Sequence, residues 1–186
     1  MKFAAFATAL LAAAPFAAAW PKTYSKIAPF KDSWVDFTPA NAGQTHGNEL
    51  VLKAFNNKTA IIGFTLPSEA TQAPNRLLSC FVTLPPFKDP AKPQNISVAA
   101  ATANTWDEAT VNGNNAPSFL TKEYTIFFDT PATGLRFNAT ELCKKAAAKG
   151  TGFSLYVASF DAPYNFNSRK TGKGALLDAT VDNWAK

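Results

Sequence analysis

The chain has 186 residues, 47% of them apolar, which is enough for one domain with a core of its own. Its 18 lysines and arginines against 13 acids leave a formal charge of +5. The lysines are dispersed, with only Lys144 and Lys145 adjacent, so the sequence excludes a nucleic-acid-binding arm. Charge alone supports no more than a weak attraction to acidic glycans.

Lys2, the alanine-rich apolar run from Phe3 to Phe16 and the small residues Ala17-Ala18-Ala19 predict a signal peptide over residues 1–19. The run is shorter than the roughly 20 residues a membrane helix needs. No later stretch reads as an anchor, so residues 20–186 are expected to form one soluble domain outside the cell, in the medium or the cell wall. Asn57-Lys58-Thr59, Asn95-Ile96-Ser97 and Asn138-Ala139-Thr140 are acceptor sequences for N-glycosylation. An oxidising compartment favours pairing Cys80 with Cys143, free buried thiols being the alternative.

In chain order, strands are expected at Ser33 to Thr38, Glu49 to Phe55, Thr59 to Leu66 and Leu77 to Leu84. Pro67 ends the third, and Pro85-Pro86 stops the fourth because proline cannot donate to a sheet ladder. Ile96 to Ala101, Glu123 to Phe128, Phe153 to Ser159 and Ala175 to Val181 complete the set, with Asn-, Gly- and Pro-rich connections between them. Thr140 to Lys149 reads as a short helix, capped by Thr140 or Asn138, stopped by Gly150 and burying Leu142, Cys143 and Ala146. On the strand Leu77 to Leu84, Cys80 alternates in phase with Leu78, Val82 and Leu84, so both cysteines are expected to point inward. The pattern is that of an all-β sandwich or barrel with one short helix.

The chemistry-bearing residues do not assemble into a catalytic motif. There is no HExxH, GxSxG or phosphate-binding glycine loop, and His46, alone in its loop, reads as a surface residue. Two distant cysteines and one histidine do not make a zinc site. Asp107 and Glu108 are adjacent, so on a strand they would face opposite ways and form a poor acid–base pair. The aromatic residues remain: Trp34 and Trp106 sit among polar residues near turns and serve either as core or as platforms for sugar rings. Trp20 and Trp184 lie near the ends of residues 20–186.

Thr105 to Pro117, TWDEATVNGNNAP, resembles the signature of the DNRLRE domains, or carbohydrate-binding module family 96. The likeness continues in order through DSWV at Asp32 to Val35, QTHGNELVLK at Gln44 to Lys53, TAIIGFTLP and NRLLSCFV. It ends with Phe137 to Val157 and with FNSRKTGKGALLDATV at Phe166 to Val181, where Lys170 stands in place of the family's Glu. The resemblance implies a jelly-roll-like β-sandwich that binds polysaccharide without cutting it. The expected ligand residues are Trp34, Lys53, Trp106, Tyr164 and Arg169, and the expected ligand is an acidic or β-linked polysaccharide of a cell wall or matrix. No enzyme activity, cofactor, nucleic acid or membrane partner is expected, a monomer is, and a structural calcium ion is left open. The alternative is a secreted effector or wall-associated interaction protein that kept the sandwich and lost sugar binding.

Overall fold

A computed structural model describes residues 20–87, 94–120, 124–128 and 134–182. The expected signal peptide and Trp184 lie outside the described residues. Among the described residues, eleven strands are arranged as an antiparallel sandwich. One sheet has the order β1-β11-β5-β8: β1 (Lys22–Ile27), β5 (Leu77–Leu84), β8 (Leu135–Asn138) and β11 (Leu176–Val181). The facing sheet has the order β2-β4-β9-β6-β7: β2 (Lys31–Asp36), β4 (Lys58–Phe64), β6 (Gln94–Ala100), β7 (Tyr124–Phe128) and β9 (Phe153–Ser159). A two-stranded ribbon of β3 (Val51–Ala54) and β10 (Tyr164–Asn167) completes the fold. Two helices, α1 (Ser68–Gln72) and α2 (Thr140–Ala148), pack against each other, and α2 packs on β5.

The period-2 alternation of strands decides which side chains enter the core. Ala60, Ile62 and Phe64 of β4 and Leu155 and Val157 of β9 meet Cys80, Val82 and Leu84 of β5 and Leu177 and Ala179 of β11. The opposite face of the β2–β4–β9 sheet is also apolar, presenting Val35, Ile61 and Tyr156, and it is covered by Trp106 and Val111 from the long β6–β7 connection. That loop therefore lies across the back of a sheet whose two faces are both buried. Each face has its own cluster, which explains why these strands read as compact apolar runs.

The expected strands all form, with no end moved by more than two residues; Glu123, the expected start of one of them, lies outside the described residues. One side chain departs from its expected phase. Leu78 is 49% exposed, and Leu77 takes the buried position instead. The β11–β5 register shifts between Thr180 and Val181, and a bulge of this kind turns the side chains on either side of it to opposite faces.

Asn138 Oδ1 accepts the Thr140 amide at 2.9 Å at the start of α2, and Gly150, at φ 64°, ends the helix in the left-handed conformation that favours glycine. Leu142, Cys143, Ala146 and Ala147 are buried beneath it. Cys143 is bonded to Cys80 across a separation of 63 residues, with Cα atoms 6.4 Å apart, so helix and sheet are joined covalently. Among the described residues no helix is long and apolar enough to cross a membrane. In the chain-entropy view, closing a loop of this length stabilises by about 4 kcal/mol. The double variant Cys80→Ser/Cys143→Ser is expected to lose about that much in a denaturant titration, with an unchanged strand signal in circular dichroism.

Candidate functional site

Three loops distant in sequence converge on the outer edge of β2. Asp32 is buried there; its Oδ1 accepts from Ser168 Oγ at 2.8 Å and its Oδ2 from the Arg169 amide at 2.6 Å. Its own amide donates to Glu108 Oε1 at 2.8 Å. Glu108 takes the Arg169 guanidinium in a fork, Nε at 3.0 Å on Oε1 and Nη2 at 2.7 Å on Oε2, the geometry that makes such pairs strong. Lys170 Nζ lies 3.5 Å from Glu108 Oε2 and donates to the Gly47 carbonyl. A Cβ at Gly47 would fall 1.8 Å from the Glu108 carbonyl oxygen, so only glycine lets these two loops touch. Lys31 completes the clasp from β2, donating to the carbonyls of Asn104 at 2.8 Å and Trp106 at 2.5 Å.

The charges respond to this burial. Desolvation pushes Asp32 above the ordinary carboxylate value, opposed by the Arg169 amide and the Ser168 hydroxyl. Desolvation acts on Glu108 in the same sense. There the Arg169 guanidinium, the Asp32 amide and the Lys170 charge outweigh it and hold the carboxyl below its usual range. Burial lowers Lys31.

The five expected ligand residues fall into different places. Trp106 is 8% exposed, donates from Nε1 to Ser154 Oγ at 2.8 Å and fills the outer cluster. Arg169 is the clasp's guanidinium. Tyr164, at 0% exposure, lies in the main core with its hydroxyl donating to the Pro85 carbonyl at 2.6 Å. Trp34, at 3%, is stacked on His46 with ring centroids 3.4 Å apart and donates to Glu49 Oε2 at 3.0 Å. His46 is therefore buried against the indole, not at the surface, and its Nδ1 lies 2.8 Å from Glu49 Oε1. Asp107 and Glu108 lie in a loop, where Asp107 caps a turn by accepting the amides of Ala109 and Thr110.

Trp34 and Lys53 do come together, at the edge of a polar cleft. Lys53 Nζ sits 4.5 Å and Lys58 Nζ 5.9 Å from the centre of the Trp34 ring, so the indole holds both cations in place. The cleft, of about 440 Å³, is lined by Asp36, Lys53, Phe55, Asn57, Lys58 and Asn165 among others. Lys53 and Asn165 are register partners across the β3–β10 ribbon. Asp36 accepts the Thr38 amide at 2.8 Å and the Asn41 side chain at 3.4 Å. Two exposed rings stand at the same end of the sandwich. Phe37, 38% exposed, donates its amide to the Asn57 carbonyl at 2.9 Å. Phe160, 66% exposed, is the first residue past β9, whose end is flanked by β4 through Ala60–Val157 and by β6 through Ile96–Ser159.

Sequence reasoning missed Phe37, Phe55, Lys58, Phe160 and Asn165. A signal existed for Phe160, which continues the outward phase of Ser154 and Tyr156 beyond the reach of the covering loop. A second cleft, of about 330 Å³, lies between α2 and residues 100–105. Its walls mix apolar side chains, Ala100, Leu142 and Phe153 among them, with Thr102, Lys145 and Lys149.

The clasp makes a pH prediction. A carboxyl held low in the folded chain contributes stability in full above its ordinary value of 4.5, lost as pH falls through the folded value. Asp32, held high, works in the opposite sense and gains as it protonates. Glu108→Gln is expected to cost about 3 kcal/mol near neutral pH, because it leaves Arg169 without its counter-charge. The denaturation midpoints of variant and wild type should converge in acid.

Residues 23–177 match the family model described as carbohydrate-binding module family 96. A protein of Arthroderma benhamiae, described as an uncharacterized secreted protein, is 37% identical over 123 residues. The match covers 63% of this chain and 58% of that relative's length. Running from β1 into β11, the family match takes in both sheets, the clasp and the polar cleft, and the chain belongs to carbohydrate-binding module family 96.

Proposed function

We propose that this chain is a secreted, non-catalytic protein that binds polysaccharide in the polar cleft at the β3–β4 turn. The observation that carries the reading is the cleft's lining. Asparagine amides donate and accept as hydroxyls require, two lysines add positive charge, and Phe55 offers an apolar face to sugar C–H groups. Phe37 and Phe160 extend that surface for a longer chain. Asp36 is the cleft's carboxylate, and a single carboxylate does not provide the pair that glycoside hydrolysis uses. Lys53 and Lys58 favour an acidic polysaccharide, with β-linked glucans as the neutral alternative.

Family membership supports carbohydrate as the ligand class, and the secreted relative supports an extracellular or cell-wall location. Export through residues 1–19, a single domain over 20–186, N-glycans on Asn57, Asn95 and Asn138 and a monomeric state belong to the same proposal. One observation favours the alternative of an interaction protein that has lost sugar binding: Trp34, Trp106 and Tyr164 are all spent on the core.

Affinity for polygalacturonate and for β-1,3- and β-1,4-glucans, measured on the chain freed of N-glycans, tests the proposal. Lys53→Gln/Lys58→Gln is expected to weaken polygalacturonate binding roughly tenfold, about 1.4 kcal/mol, and to flatten its salt dependence. Phe160→Ala should weaken it by about 1 kcal/mol without loss of stability. Trp106→Ala should instead cost roughly 3–5 kcal/mol of stability. No new reducing or unsaturated ends should appear with any of the three polysaccharides. A folded chain that binds none of them supports the interaction-protein reading.

A further inference from the structure

The turn that walls the polar cleft also carries an acceptor asparagine. Phe55 and Lys58 close the β3–β4 hairpin by exchanging amide and carbonyl hydrogen bonds, both 3.0 Å, and Asn56 takes φ 55° between them. Asn57 follows, exposed, with Thr59 completing its acceptor sequence. Phe55 and Asn57, two residues apart, both line the cleft. A sugar joined to Asn57 Nδ2 would therefore start inside the cleft, within reach of the Phe55 ring and with Lys53 and Asn165 beyond it. The other two acceptors are placed differently. Asn138 lies at the start of α2, where its Oδ1 accepts the Thr140 amide at 2.9 Å. Asn95 is bound to Asp161 Oδ2 through both its amide and its Nδ2, each at 2.9 Å.

We infer that the glycan on Asn57 folds back into the cleft and fills it, so that modification at this one position sets whether the cleft is open to an external polysaccharide. The inference rests on reading the cleft as a saccharide site. In the modification, Asn57 Nδ2 bonds to the anomeric carbon of a lipid-diphosphate-linked oligosaccharide. The carbon–oxygen bond to the diphosphate breaks, the lipid diphosphate leaves with the bonding electrons, and the amide gives up one proton. A tethered sugar then acts at an effective concentration on the order of millimolar, so weak contacts with Phe55 and the lysines suffice to keep out a dilute competitor. The Phe55 ring and the asparagine amides would contact the attached sugars as they would the external chain, whereas the lysine charges favour only an acidic one.

The test uses the full chain secreted from a eukaryotic host, with site occupancy read by glycopeptide mass spectrometry and affinity for polygalacturonate read by titration. The Asn57-modified chain is expected to bind at least tenfold more weakly than Asn57→Gln, Thr59→Ala or the enzymatically deglycosylated chain. Asn138→Gln, retaining the Asn57 glycan, should bind like the modified wild type. Adding Lys53→Gln/Lys58→Gln to Asn57→Gln should abolish the gain, which places the opened site in this cleft. An unmodified Asn57 in the secreted chain overturns the inference, as does equal affinity in modified and unmodified forms that both bind. If the unmodified forms bind neither polygalacturonate nor the two glucans, the reading of the cleft fails and the inference with it.

Discussion

Glu108 receives the Arg169 fork on both oxygens while accepting the Asp32 amide, and in doing so fixes the position of the β6–β7 connection. That connection is what covers Val35, Ile61 and Tyr156 on the outer face of the β2–β4–β9 sheet. Without it the sheet would present an apolar surface to water, and β2 would offer an open edge for pairing with another chain. The clasp is worth its desolvation because each member is satisfied more than once: Asp32 by a hydroxyl and an amide, Glu108 by a guanidinium, an amide and an ammonium group. A buried charge with a single partner at this site would be a net cost. Lys170 serves the same junction by reaching Glu108 and the Gly47 carbonyl.

This division of labour explains why the most recognisable residues of the chain are poor candidates for ligand contact. Trp106 and Glu108 belong to the segment with the strongest family resemblance, and both act on the sheet beneath them. Asp32 and Arg169, from two other resembling segments, meet them there. Residues that hold three loops together are constrained by one another, whereas the β3–β4 turn and the β9–β10 connection bear on the outer end of the fold and are free to vary in what they display.

Much of the fold was legible because its strands are buried on both faces or alternate cleanly. The missed strands lack those signals. KTYSKI of β1 is a largely exposed edge strand, and LRFN of β8 is four residues long with one buried side chain. YNFN of β10 does alternate, Tyr164 and Phe166 inward, but it is short and embedded in asparagines. The phase of Leu78 was lost at a bulge, which no local pattern announces. The aromatic residues show a harder limit. Whether Trp34 or Trp106 faces water depends on cover supplied from far along the chain, His46 and Glu49 for one and Ser154 for the other. The local sequence, a Trp among polar neighbours, is the same in either case.

A buried tryptophan nonetheless shapes the candidate site. His46 stacks on the Trp34 ring and Glu49 accepts its Nε1 proton, so the indole is held in both tilt and depth. Lys53 and Lys58 lie over that ring, a contact that orients the ammonium groups without neutralising them. Glu49, 3.4 Å from Lys53, is itself shared with His46 and Trp34. Its carboxyl is pushed up by burial but held low overall by those hydrogen bonds and by Lys53. The result is a pair of cations fixed at the rim of a cleft whose other polar side chains are neutral amides, the Thr38 hydroxyl and one carboxylate already engaged by Thr38 and Asn41. On the proposed reading, such a surface would select an anionic ligand by position as well as by charge, because the lysines would not have to be ordered when the ligand arrives. In that reading the core aromatic would contribute to recognition without touching the ligand, through the two side chains it holds.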